Sequence, residues 1–138
     1  MTTTINASTS NGLVQSADGS GIIKLQSNGV TTNALAWVNF NGTGTVAIRS
    51  SYNVSSITDN GTGLYTVNFA TALSDANYSV NASASPAYSL GSSYVNLFSN
   101  SSTTETAPTT GAFTLRVGYS TSGGTEDLKY ICAQVFGN

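Results

Sequence analysis

The sequence predicts an all-β protein, an antiparallel β-sandwich or meander preceded by an extended N-terminal arm. Three observations carry this expectation. No stretch keeps a helical spacing of apolar residues beyond a turn or two, whereas many short segments rich in Val, Ile, Tyr, Phe and Thr alternate in polarity. Nearly all of these segments are separated by Gly, Asn, Ser, Asp or Pro, and such short separations suit hairpins, because parallel strands need long crossovers. The first 33 residues differ, with small apolar doublets isolated between Gly-containing turns, too little apolar area to offset the entropy of ordering.

Taken in order, residues 1–33 read as an arm for attachment and oligomerisation, and residues 34–138 as one sandwich-like domain. Ile5, Leu13, Val14, Ile22 and Ile23 are the arm's candidate attachment side chains. They need a partner surface, and identical copies wound about a common axis are an economical supply; a disordered tail is the alternative. The alternating segments predict strands over 22–26, 35–40, 45–49, 53–58, 64–69, 78–82, 94–99, 113–118 and 129–136.

In "LAWVNF", Leu35, Trp37 and Asn39 share one face and Ala36, Val38 and Phe40 the other; both faces are partly apolar, so that strand is expected to be central or covered on both sides. In "LYTVNF", Tyr65, Val67 and Phe69 oppose Thr66 and Asn68, the pattern of a half-buried strand. The expected core comprises Trp37, Val46, Ile48, Val54, Ile57, Tyr65, Val67, Phe69, Val80, Leu115, Val117, Ile131 and Val135. Cys132, the only cysteine, sits in the apolar run "KYICAQVF" and is expected to be buried and inert.

Composition excludes several chemistries. A chain of 138 residues supports one domain that buries roughly two-thirds of its unfolded surface. Only 7% of residues are charged, the net charge is -2, and Lys24, Arg49, Arg116 and Lys129 are scattered, so neither nucleic acid nor an anionic membrane surface is an expected partner. No apolar run approaches the ~20 residues of a membrane span, and the N-terminus lacks the marks of a secretory signal; the protein is expected to be made in the cytoplasm. Histidine is absent, which removes Ser-His-Asp and Cys-His catalysis and the commonest transition-metal ligand. The six carboxylates, Asp18, Asp59, Asp75, Glu105, Glu126 and Asp127, all fall in predicted turns or loops, where turn chemistry accounts for them better than a catalytic pair does. Glu126 and Asp127 are adjacent but lack the regular oxygen spacing of a calcium loop. No enzyme activity, cofactor or metal is therefore expected.

The tetrapeptide Asn-Gly-Thr-Gly occurs twice, at 41–44 and 60–63, nineteen residues apart. Neither copy opens a helix or precedes a Lys, so phosphate cradling is a weak reading; Asn-Gly is a strong hairpin signal, because both residues tolerate positive φ. Arg49, inside "TVAIRSS", is read as a solvated edge residue in preference to a partner for a carboxylate such as Asp59 across a subunit boundary.

From Ala34 to Val80, "ALAWVNFNGTGTVAIRSSYNVSSITDNGTGLYTVNFATALSDANYSV" resembles a module recurring in tail-fibre and other small virion structural proteins of tailed bacteriophages, notably those of marine and freshwater hosts. The marks are Ala36-Trp37-Val38-Asn39-Phe40, Ile48-Arg49, Asn53-Val54-Ser55-Ser56-Ile57 and the second Asn-Gly-Thr-Gly leading into Tyr65-Thr66-Val67-Asn68-Phe69. More loosely, "SADGSGIIKLQSNG" is similar to segments that lead into such modules in longer fibres. The resemblance implies a β-rich, homotrimeric virion component that attaches through its N-terminal part. A short tail fibre or receptor-binding tip is the first expectation, with other phage tail or capsid proteins as partners; a capsid decoration, cement or head-fibre protein is the alternative. It carries no catalytic residue across.

For a receptor-binding tip the expected ligand is a host-surface glycan. Aromatic rings stack on sugar faces while Ser, Thr and Asn supply adaptable hydrogen bonds. The candidate contacts are Tyr88, Tyr94, Glu105, Tyr119, Glu126 and Asp127, in the loops spanning 85–93, 100–111 and 119–128 or at their borders.

Overall fold

The computed structural model describes residues 26–27, 30–86, 92–99, 104–119 and 124–137. Among these there is no helix, and ten strands follow one another: β1 (Gln26–Ser27), β2 (Val30–Thr31), β3 (Ala36–Asn41), β4 (Ala47–Tyr52), β5 (Val54–Gly61), β6 (Leu64–Phe69), β7 (Ser79–Ala84), β8 (Ser93–Leu97), β9 (Ala112–Tyr119) and β10 (Ile131–Phe136). β1 and β2 form a small hairpin. The other eight make two four-stranded antiparallel sheets, ordered β4-β3-β10-β7 and β5-β6-β9-β8, here called the first and second sheets.

Eight expected strands are present with ends shifted by a few residues. The ninth, 22–26, lies outside the described residues apart from Gln26, as do the attachment candidates Ile5, Leu13, Val14, Ile22 and Ile23. The 45–49 strand runs later than expected, to Tyr52, because Asn53 marks the corner rather than a strand start. Its φ of 53° is left-handed, a conformation Asn tolerates better than most residues. The side chain then locks the corner: Nδ2 donates to the carbonyls of Leu35 and Thr71, both at 3.2 Å, and Oδ1 accepts from the Thr71 amide at 2.8 Å.

The sheets face each other across one core. Phe40 of the first meets Tyr65 of the second edge-on at 5.2 Å, and Phe69, Tyr78 and Phe113 form a second aromatic group. Such ring pairs each add about 0.5–1.5 kcal/mol beyond the area they bury. Val54, Tyr65, Val67, Phe69, Leu115, Val117, Ile131 and Val135 are buried as expected, while Val46, Ile48, Ile57 and Val80 pack partly buried at the margins.

Trp37 corrects the expectation. It points out of the first sheet and is 38% exposed, because Ala36, Val38 and Phe40 take the inner face of β3. Both faces of this strand carry an apolar residue, but Trp37 shares its face with Asn39 and Asn41, which cannot be buried without partners. β10 alternates the same way: Ile131, Ala133 and Val135 point in, so Cys132 faces outward at intermediate exposure rather than lying buried.

Register gives the sandwich two distinct ends. At the proximal end the chain enters β3, held by the Leu35 amide donating to the Val135 carbonyl at 2.8 Å, and here lie the Asn53 corner, the β6–β7 and β8–β9 connections and the end of β10. At the distal end lie the β3–β4, β5–β6, β7–β8 and β9–β10 connections.

Candidate functional site

Both Asn-Gly-Thr-Gly stretches close hairpins at the distal end, as expected, but in different ways. In the first, Asn41 Nδ2 caps a longer loop by donating to the Thr43 carbonyl at 2.6 Å and the Thr45 carbonyl at 3.2 Å. The second is a tight turn: Gly61 pairs with Leu64 across Thr62 and Gly63, and Asp59 Oδ1 accepts from the Gly61 amide at 3.0 Å.

The two hairpins converge on one carboxylate. Asp127 Oδ1 accepts from the Gly63 amide and from the Tyr65 hydroxyl, each at 2.7 Å, and the Gly42 carbonyl is a further acceptor for that hydroxyl at 3.2 Å. The Gly42 amide in turn donates to the Leu128 carbonyl at 3.0 Å. Gly63 must be glycine twice over, since its φ is 66° and an added Cβ would collide with the Val117 carbonyl. Burial above all, then the Asp127 hydrogen bond and charge, push the Tyr65 hydroxyl pKa far above its ordinary value.

This hub pins residues 124–128, the described part of the β9–β10 connection before Lys129, across the end of the sandwich. After β9 the chain turns back, so that Gly118 bridges Thr125, the Tyr119 amide donates to the Gly124 carbonyl at 3.1 Å and the Glu126 amide to the Val117 carbonyl at 3.3 Å. Tyr94 reaches over from β8 and donates its hydroxyl to the same Gly124 carbonyl at 3.0 Å. Its ring lies 5.0 Å from the Arg116 guanidinium, which the alternation of β9 aims outward yet which is only 7% exposed. Burial raises the Tyr94 pKa, opposed by the positive charge of Arg116 and reinforced by Tyr119.

The distal rim therefore gathers Tyr94, Tyr119, Glu126 and Asp127. Asp127 is committed to the fold, and the Tyr94 hydroxyl to the rim's own backbone. Tyr119 packs against Gly124, and Glu126 is half-buried with Oε2 desolvated and without a hydrogen bond. Tyr88 lies outside the described residues. Glu105 is elsewhere: it is exposed near the proximal end, bridges Ser99 and lines an open depression of about 450 Å³ with Val95, Leu97, Phe98 and Thr104. Sequence reading missed Arg116, because alternation marks it as outward and only the Tyr94 stack reveals its cover. Arg49 sits exposed on edge strand β4 as expected; its guanidinium donates to Asn39 Oδ1 at 3.4 Å and Asn41 Oδ1 at 3.3 Å and stacks 4.3 Å from the Tyr130 ring.

Among the described residues no group of three or more His, Cys, Asp or Glu side chains could hold a metal ion, and no helix is long and apolar enough to cross a membrane. The fold defines the chain as an all-β protein of two antiparallel four-stranded sheets. No protein-family model matches it, and no curated protein and no solved structure matches it either.

Proposed function

We propose that this chain is a non-enzymatic structural protein of a tailed-bacteriophage virion. On this reading it is a short trimeric tail fibre or receptor-binding tip, attached through its N-terminal arm, with its distal loops turned toward a host-surface glycan. The observation that favours it is the polarity of the sandwich. The chain enters β3 at the proximal end, whereas Tyr94, Tyr119 and the β9–β10 connection stand at the other, held to the core by Asp127. A rim whose described residues Tyr94, Gly124, Asp127 and Leu128 are hydrogen-bonded in place, opposite the chain's entry, suits contact with a target at a distance from the particle, since side chains held in place lose less entropy on binding. Low charge and the resemblance of residues 34–80 agree with the same reading.

The test is adsorption. The purified protein is expected to bind host cells or their surface polysaccharide and to compete with particles for attachment. Normal adsorption in a saturating excess of the protein, or of antibodies against it, overturns the receptor-binding reading. The alternative of a capsid decoration or head-fibre protein is favoured by the exposed aromatic residues of the first sheet, which suit packing against neighbours in a lattice. Copy number separates the two: several hundred chains per particle fit the capsid, a few dozen or fewer the tail.

A further inference from the structure

The four large hydrophobic side chains exposed among the described residues, Trp37, Tyr52, Tyr130 and Phe136, all belong to the outer side of the first sheet. Trp37 and Tyr52 are directly paired across β3 and β4, and Phe136 lies one outward position beyond Gln134, the residue opposite Trp37 on β10. That diagonal is within reach of aromatic side chains. Tyr130 continues the surface distally beneath Arg49, the one charged side chain that the strands of this sheet carry, its guanidinium already met by Asn39 and Asn41. The outer face of the second sheet is unlike it. There Asn60 donates to Thr66, and Asn68 to Thr58 and Ser56, so the polar side chains satisfy one another across β5 and β6.

We propose that the outer face of the β4-β3-β10-β7 sheet is the self-association surface of this protein and that its occupant is a second copy of the same chain. This deepens the trimeric reading above and rests on it for the number of copies. Area supports a copy of the chain as occupant. With side chains of 150–250 Å² exposed by 37–48%, the four aromatics present about 250–400 Å² per copy. Ser50, Ser79, Asn81, Ser83 and Gln134, exposed on the same face, add a comparable area, so two copies meeting face to face bury about 1,000–1,600 Å², the size of a specific interface. Charge is sparse as well: the face carries two cations, both at its distal margin against the Tyr130 ring, Arg49 at 4.3 Å and already met by Asn39 and Asn41, and Lys129 at 5.6 Å, so the Trp37, Tyr52 and Phe136 part meets its own copy without like-charge conflict. Three copies turning this face toward a common axis set the Tyr52 side of one against the Phe136 side of the next, a heterologous contact that closes.

Trp37 is the only tryptophan and Cys132, in the middle of the same face between Asn39 and Ser83, the only cysteine, so the chain carries its own reporters. The experiment measures mass by sedimentation on the full-length protein from about 0.1 to 100 µM, with Trp37 emission and the maleimide labelling rate of Cys132. The expected result is an oligomer whose dilution red-shifts Trp37 and accelerates Cys132 labelling with one shared midpoint. The variant W37S/F136S should keep its far-UV spectrum and raise the dissociation constant at least ~100-fold, whereas T58A/T66A on the second sheet should leave it unchanged. A trimer supports both readings; a dimer abolished by W37S/F136S supports the face and overturns the trimer. The assignment is overturned by an oligomer indifferent to W37S/F136S. It is equally overturned by a monomer at 100 µM whose Trp37 red-shifts only when residues 1–25 are deleted, since the chain's own arm is then the occupant.

Discussion

Replacing Asp127 by alanine removes the acceptor shared by the Gly63 amide and the Tyr65 hydroxyl, both at 2.7 Å. Hydrogen bonds to a charged group contribute about 1.5–3 kcal/mol each, and half-burial of Asp127 places these toward the lower end. Tyr65 is 1% exposed, so its stranded hydroxyl recovers only the 3.2 Å contact with the Gly42 carbonyl. The expected loss is about 2–4 kcal/mol for D127A, about 1–2 for Y65F, which leaves Gly63 its partner, and about 1 for D127N, which keeps an acceptor oxygen. Urea unfolding at 25 °C and pH 7, read by circular dichroism at constant m-value, supplies all three numbers. The double variant D127A/Y65F should cost less than the sum of the single changes by about 1–2 kcal/mol, since the residues share one bond. A D127A loss below about 0.5 kcal/mol, or strict additivity, would refute the claim that Asp127 ties the distal rim to the core.

Three further outcomes follow from the geometry. N53A should cost about 2–3 kcal/mol and N53G about 1–2, the difference being the left-handed φ that glycine accepts, and thermal melts of the pair measure it. G63A should be far more damaging than G44A, because both residues have φ near 65° but only the Cβ of the former meets backbone, and urea midpoints rank them. Stability should fall steeply above pH 10. The folded-state pKa values of Tyr65 and Tyr78 are raised, the latter by burial to about 12, so the stabilisation is complete below the unfolded value near 10 and is lost as pH climbs through the folded values. Y78F should flatten that alkaline limb in melts taken from pH 8 to 12.

Alternation made the second sheet legible in the sequence: in "LYTVNF" Tyr65, Val67 and Phe69 form a wholly apolar face, opposed by Thr66 and Asn68 with Leu64 alone as an apolar residue, and they are buried as that pattern requires. It could not orient β3, where both faces are apolar, and there the companions decided. Asn39 and Asn41 draw their side outward and carry Trp37 with them. The turns were legible as turns, yet nothing in the first Asn-Gly-Thr-Gly tells that Gly42 would lie against Tyr65 and Leu128, contacts made across more than twenty and eighty residues of sequence. For the same reason Asp127 read as a loop acid: its role is set by Gly63 and Tyr65, more than sixty residues away. Tyr94 and Tyr119 were named as candidate contacts by residue type alone; that they share a rim with Arg116 follows from strand register, which composition does not encode.

The reading as a virion component is tested most directly by quantitative mass spectrometry of purified particles produced from the genome that encodes this chain, calibrated against the major capsid protein. The account predicts the protein in the particles, at a few dozen copies or fewer, and its loss from them when residues 1–30 are deleted while the remaining domain stays folded. Particles that are infectious and contain none of it would contradict the account.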